Sequence, residues 1–222
     1  MNNEVDIADD DILLMKHLLD FKRKVLGDGV VMLDAGANIG VYALACAQHM
    51  RSWGRVVAVE AQERIYYALA GNMTINNCFN AQAIWAALSN KVSTMKMPVP
   101  NYLEPASFGS LELEFTGRNE FIGQTIDYSE DNMVEVQTKT IDSLNLGRVD
   151  FIKMDVEGME LKALEGGRET IRAYKPFMFI EHIKVDQQAF ACFLEEYDYI
   201  GKEFGMNTLA FHKDDKIADH MK

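Results

Sequence analysis

Four acids hold comparable places in this chain: Asp34, Glu60, Asp155 and Glu181 each stand at the end of a predicted strand, at residues 30–33, 55–59, 149–154 and 177–181. These runs are apolar without alternation, which suits strands covered on both faces. Parallel strands of that kind share one carboxyl edge, where an open α/β sheet binds its ligand. A carboxylate there accepts hydroxyl hydrogen bonds, pairs with a cation or takes a proton. Four converging on one edge describe a site better than they describe chance surface chemistry.

The turn after the first run reads Asp34-Ala35-Gly36-Ala37-Asn38-Ile39-Gly40, a D-x-G-x-x-x-G pattern. It differs from the G-x-G-x-x-G loop, whose glycines bring backbone close to a pyrophosphate, and Asp34 at its entrance would repel a diphosphate. It suits a ligand with a cationic end. S-adenosylmethionine offers an ammonium to Asp34, directly or through water, a carboxylate to the helix amino terminus near Asn38 and Gly40, and a ribose diol to Glu60. The ribose of NAD would satisfy Glu60 equally, so a nicotinamide-dependent oxidoreductase stands as the disfavoured alternative. A protein that binds the cofactor without chemistry is another.

The elements that must position these residues follow from periodicity. Leu14, Leu18, Phe21 and Val25 place an amino-terminal helix over residues 9–28, stopped by Gly27 and Gly29. Helices are expected from Val41, over 65–76, over 158–173 and around 190–197, with a third strand at 81–85. Gly205-Met206-Asn207 separates two closing strands as a hairpin. Residues 91–140 break the rhythm with three of the four prolines and read as an irregular or β-rich insertion covering the acceptor side of the site. Its Tyr102, Phe108, Phe115, Phe121 and Tyr128 could stack an acceptor. The same segment could instead be a structural flap or a dimer contact, which leaves a homodimer open. The expected fold is a mostly parallel α/β sheet with helices on both faces, in one domain spanning residues 1–222.

Composition narrows the partners. The 222 residues carry 22 Lys and Arg against 34 Asp and Glu, a net charge of -12, which disfavours nucleic acid and anionic membranes. Lys22, Arg23 and Lys24 read as solvated helix surface. Cys46, Cys78 and Cys192 read as buried free thiols in a reducing compartment. With an acidic amino terminus and no apolar run near the length of a span, about 18 residues, the expected location is cytoplasmic.

VMLDAGANIGVYALACA (31–47), VVAVEAQERIYYALAGN (56–72), TIDSL (140–144), VDFIKMDVEGMELKALEGG (149–167) and FMFIEH (177–182) together resemble the FkbM family of S-adenosylmethionine-dependent methyltransferases. The likeness runs over residues 31–182, and D-V-E-G-x-E is its most specific part. It implies the class I methyltransferase fold, a Rossmann-like seven-stranded sheet whose final hairpin makes the last strand antiparallel. It implies methyl transfer to oxygen, on a small-molecule or glycan hydroxyl, with S-adenosylhomocysteine as product. It places Asp34, Gly36, Ala37, Asn38 and Gly40 in the cofactor loop, Glu60 and Ala61 at the ribose, and Asp155 and Glu157 beside the reacting end. Where the family usually has Glu-Pro, this chain has Glu60-Ala61.

An attacking hydroxyl must lose its proton, and the candidate bases are His182, Glu181 and Glu157, with His182 favoured by its ordinary pKa. Glu157 could instead cap the following helix, and Glu160 reads as a solvated or salt-bridged residue. Asp155, Glu157 and Glu181 could gather a divalent cation, but their spacing is not specific to one, and no metal is predicted. Trp85 could border an adenine or belong to the core. His17, His49, His212 and His220 are assigned no role.

Overall fold

Gly27 and Gly29 take positive φ and stop α1 (Ile7–Leu26), close to the expected end of the first helix. The computed structural model describes residues 7–216, so the acidic residues before position 7, and His220, lie outside it. From α1 the chain alternates through β1 (Val30–Ala35), α2 (Val41–His49), β2 (Gly54–Glu60), α3 (Glu63–Ile75) and β3 (Ala81–Trp85). It then builds a separate small sheet from β4 (Ala87–Leu88), β5 (Ser93–Pro98) and β6 (Met133–Lys139), in the order β4-β6-β5. The rhythm resumes with β7 (Phe151–Met154), α4 (Glu160–Glu165), α5 (Arg168–Tyr174), β8 (Phe177–Glu181) and α6 (Gln187–Glu196), and closes with the hairpin β9 (Tyr199–Phe204) and β10 (Asn207–His212).

The large sheet has the order β3-β2-β1-β7-β8-β10-β9. Its first five strands in that order run parallel, and β10 is antiparallel to both β8 and β9. This is the Rossmann-like class I arrangement. Side-chain alternation divides the central strands β1, β2, β7 and β8 between two buried faces. Met32, Ala58, Phe151 and Phe179 pack against α1, α2 and α3. Leu33, Val59, Ile152 and Ile180 pack against α4, α5 and α6. With both faces covered, the strands show no alternation in sequence. The order reverses between β1 and β7, and the crevice outside their carboxyl ends is where a ligand fits such a sheet.

Several local expectations need correction. The helix expected over 158–173 is two helices, because Gly166 and Gly167 interrupt it and a helix interior pays about 1 kcal/mol per glycine. Asp142, in the TIDSL stretch, holds the start of α5 by accepting from the backbone N–H of Thr170 (2.8 Å) and Glu169 (3.2 Å). The insertion is ordered and carries its own small core of Met97, Leu111, Leu113, Ile122 and Val136. Its sheet begins at β4, upstream of residue 91. Lys22 is not solvated: it is buried, paired with Asp215 at 2.7 Å and seated over the Phe177 ring. Cys46 and Cys78 are buried free thiols, but Cys192 is exposed. No helix among the described residues is long and apolar enough to cross a membrane.

Candidate functional site

The turn between β1 and α2 is fixed from below by its neighbour. Gly36 and Ala37 both donate their N–H to the Val59 carbonyl at 3.0 Å, which lays the turn across the end of β2. Gly36, Asn38 and Gly40 have φ of 75°, 48° and 97°. Glycine takes such angles without cost, and asparagine is among the few other residues that tolerate them. Glu60 completes the junction: its carboxylate accepts from the N–H of Asn38 (2.9 Å) and of Gln62 (2.8 Å). Burial pushes this carboxyl up from the ordinary glutamate range, against the pull of those backbone donors.

A cavity of about 290 Å³ opens at this edge, close to the lower end of small-molecule sites at roughly 300 Å³. Gly36, Ala37, Asn38, Glu60 and Ala61 line it from the ends of β1 and β2, and Asp155, Glu157 and Glu181 from the ends of β7 and β8. Ser107, Gly109, Ser110 and Leu111 of the insertion close its side. Gly109 lies so close to the β1–α2 turn that a Cβ there would sit 2.3 Å from Asn38 Nδ2. Gln62 ties the two walls together by donating to the Phe108 carbonyl at 2.7 Å and accepting from the Tyr102 hydroxyl at 3.1 Å.

At the acidic end, Asp155, Glu157 and Glu181 each place one carboxylate oxygen within 4.8 Å of the others, a geometry that a divalent cation could bridge. Asp155 Oδ1 and Glu181 Oε2 are buried with no hydrogen-bond partner. Glu157 has φ 54° and is bonded to Lys184, which also meets Glu120 of the insertion at 2.9 Å. Burial pushes the Glu157 carboxyl up to about 7, with Asp155 adding to the effect and Lys184 opposing it. Glu181 is pushed up to about 8, by burial first and then by Asp155 and Glu157.

These elevations predict a pH dependence of stability. With folded pKa values above their unfolded ones, Glu157 and Glu181 bind more protons in the folded chain, so stability falls as pH rises through their range. Tm of the unliganded protein should drop as pH rises from about 4.5, where the unfolded carboxyls ionise, to about 8, where the folded ones do, and drop less in Glu181→Gln. An equal drop in the variant would show that Glu181 does not carry a raised pKa.

Three expected site residues lie elsewhere. Asp34 is fully buried beneath the loop and does not line the cavity; its nearest cation is Lys153 Nζ, at 3.8 Å. Burial raises its carboxyl to about 6, with Lys153 opposing. Gly40 serves the start of α2, where a Cβ would meet Leu44 and Leu69 side chains at 2.5 and 2.8 Å. His182 is outside the cavity lining, and its Nδ1 is 3.0 Å from Thr208 Oγ1 on β10. Glu160, expected to be solvated or salt-bridged, is buried and accepts from the N–H of Val156 (3.0 Å) and Gly158 (3.2 Å), so it shapes the loop that presents Glu157. Trp85 is 41% exposed, donates to the Ala61 carbonyl and stacks on Tyr66, outside the cavity lining. None of the five insertion aromatics lines the cavity; Tyr102 and Phe108 pack together behind its wall.

Two contributors escaped the sequence reading. Lys153 lines the cavity from inside β7, and its signal was a lysine within an otherwise apolar run. Gln62 sits two residues past Glu60 and carried no signal of its own.

Known proteins resemble this chain in sequence and in fold. Methyltransferase sdnD of Sordaria araneosa is 25% identical over 154 residues, 61% of this chain and 59% of that one. The crystal structure of Methyltransferase FkbM from Methylobacillus flagellatus KT matches with a TM-score of 0.58 at 19% identity, over 89% of this chain and 48% of that chain, a likeness of fold. This chain thus spans about half to three fifths of the length of these proteins. The family described as Methyltransferase FkbM domain matches residues 34–205, from the end of β1 to the turn of the closing hairpin, and the chain belongs to that FkbM methyltransferase family.

Proposed function

We propose that this protein transfers a methyl group from S-adenosylmethionine to a hydroxyl of a sugar or other small metabolite. The observation that carries the reading is the acidic lining of the cavity, where Glu60 follows β2 and the unpartnered oxygens of Asp155 and Glu181 stand at the ends of β7 and β8. A ribose diol suits the remaining lone pairs of Glu60. An ammonium suits Asp155, which replaces Asp34 in that role because Asp34 has no access to the cavity. When bound, the cofactor would supply the electrophilic methyl.

The chain's own contribution is orientation and proton transfer. Bringing an acceptor into line supplies much of the acceleration in such a displacement. Glu181, with Glu157 beside it, receives the hydroxyl proton, since a carboxylate with a raised pKa is a stronger base near neutral pH. The acidic lining repels phosphorylated or carboxylated acceptors and favours neutral polyols, which donate hydroxyl hydrogen bonds to carboxylates. The insertion that closes the side of the cavity selects among them.

The test is calorimetric titration with S-adenosylhomocysteine and with NAD, followed by a screen of hydroxylated acceptors for methyl transfer. Binding of S-adenosylhomocysteine with methyl transfer to a polyol is the expected result. Binding of NAD alone would replace the reading with a nicotinamide enzyme, and cofactor binding without transfer to any acceptor would favour a binding protein. Glu60→Ala should weaken S-adenosylhomocysteine by about 1–3 kcal/mol, because the ligand loses its acceptor and the Asn38 and Gln62 amides lose theirs. Unchanged affinity in that variant would place the ribose elsewhere.

A further inference from the structure

Lys153 is a lysine in the middle of a buried sheet, opposite Asp34 in the β1–β7 register. Its side chain is 6% exposed, and its ammonium donates to the Gly36 carbonyl at 3.2 Å and to Asp155 Oδ2 at 3.1 Å. It also stands 3.8 Å from Asp34 Oδ1 and 5.1 Å from the centre of the Tyr42 ring on α2. Tyr42 in turn donates to Asp11 of α1 at 3.3 Å. Burial alone would discharge a lysine, but Asp155 and Asp34 together outweigh it and hold the ammonium above the ordinary lysine range. Lys153 is the largest influence favouring the charged form of this buried carboxylate, with the backbone N–H of Ala43 a lesser one.

One cation therefore reaches both loops that flank the cavity at the point where the strand order reverses. It holds the carbonyl of Gly36 after β1, and it holds Asp155 after β7 by a single oxygen, leaving Oδ1 without a protein partner. Resting on the cofactor reading proposed above, we infer that Lys153 is a positioning residue that fixes Asp155 to receive the ammonium of the cofactor's amino-acid end. Asp34 is then its buried counter-ion, and a role for that aspartate behind the site follows without contact to the ligand.

The inference separates two ligands that differ only at that end. Methylthioadenosine keeps the adenosine and sulfur of S-adenosylhomocysteine but lacks the amino acid. Calorimetric titrations of the intact chain with each compound should show Lys153→Met weakening S-adenosylhomocysteine about tenfold or more, with methylthioadenosine within about twofold of wild type. Asp155→Asn should show the same selective loss. The double variant should be no worse than the weaker single one, since both changes break one interaction. Lys153→Arg, which keeps the charge, should recover part of the affinity.

Equal loss of both ligands in folded Lys153→Met would reduce Lys153 to a structural residue and overturn the inference, as would wild-type affinity for S-adenosylhomocysteine. If Lys153→Met does not fold, Asp155→Asn decides alone: a retained wild-type preference for S-adenosylhomocysteine over methylthioadenosine overturns it. Wild type binding neither compound would remove the cofactor assignment and this inference together, whereas wild type binding both tightly with an indifferent Lys153→Met removes only the inference.

Discussion

Glu181→Gln is expected to lower methyl transfer by about 10²-fold or more while leaving S-adenosylhomocysteine affinity within about threefold of wild type. An amide has nearly the shape of a carboxylate but cannot take the acceptor's proton, so the loss should fall on turnover and spare binding. Glu181 ends β8 on the cavity wall with Oε2 buried and unpartnered, and burial reinforced by Asp155 and Glu157 brings its carboxyl up to about 8. The sign of the pH dependence follows: as pH falls through the range of Glu157 and Glu181, between about 7 and 8, the pair takes up protons and turnover should decline. Because the two share protons, the acid limb reports the pair. Glu157→Gln should cost less, since Lys184 already occupies one of its oxygens. His182→Ala should leave turnover within about threefold, because a residue outside the cavity lining is not in reach of the transferred proton. Steady-state rates across the pH range check all three variants. Wild-type turnover in Glu181→Gln, or a large loss in His182→Ala, would return the proton to His182.

The second large effect is expected from one methyl group. Gly36→Ala should destabilise the protein by about 3–5 kcal/mol or prevent folding, and any folded fraction should lose S-adenosylhomocysteine binding. An alanine Cβ at Gly36 would lie 1.7 Å from the Asp155 carbonyl oxygen and 2.7 Å from its carbon. Both are backbone atoms, so no rotamer change relieves the overlap, and β1 and β7 would have to separate at the edge that carries the site. Gly27 provides the control. It has φ 80° against 75° for Gly36, yet a Cβ there would meet nothing within 4 Å. Gly27→Ala should therefore cost only the left-handed backbone penalty, about 1–2 kcal/mol. Denaturant midpoints of the two variants compare the effects directly. Similar costs would mean that conformation alone, and not close approach, requires glycine at position 36.

The order of elements and the edge of the sheet that carries the site are legible in the amino-acid sequence. Apolar runs ending in Asp34, Glu60, Asp155 and Glu181 marked β1, β2, β7 and β8, because strands buried on both faces need continuous apolar residues, and an acid marks where the chain leaves that environment. Gly205-Met206 marked the closing hairpin for a similar local reason, a turn that φ-tolerant residues permit. The glycine turn and the D-V-E-G-x-E stretch were legible as a family pattern. Tertiary structure alone decided which of these acids face the cavity. Asp34 and Lys153 are neighbours only because β1 and β7 align in one register across 119 positions of chain, and their pairing draws Asp34 under the loop and Lys153 to its rim. Glu157 and Glu160 look alike in sequence, yet one faces the cavity at φ 54° while the other is buried against the N–H groups of Val156 and Gly158. His182 follows a strand end as expected, but the antiparallel partner β10 offers it Thr208. Periodicity reports which face a residue shares and where an element stops, since both are properties of the local chain. Which atoms meet across that face depends on the register between distant strands and on where each buried charge finds its partner.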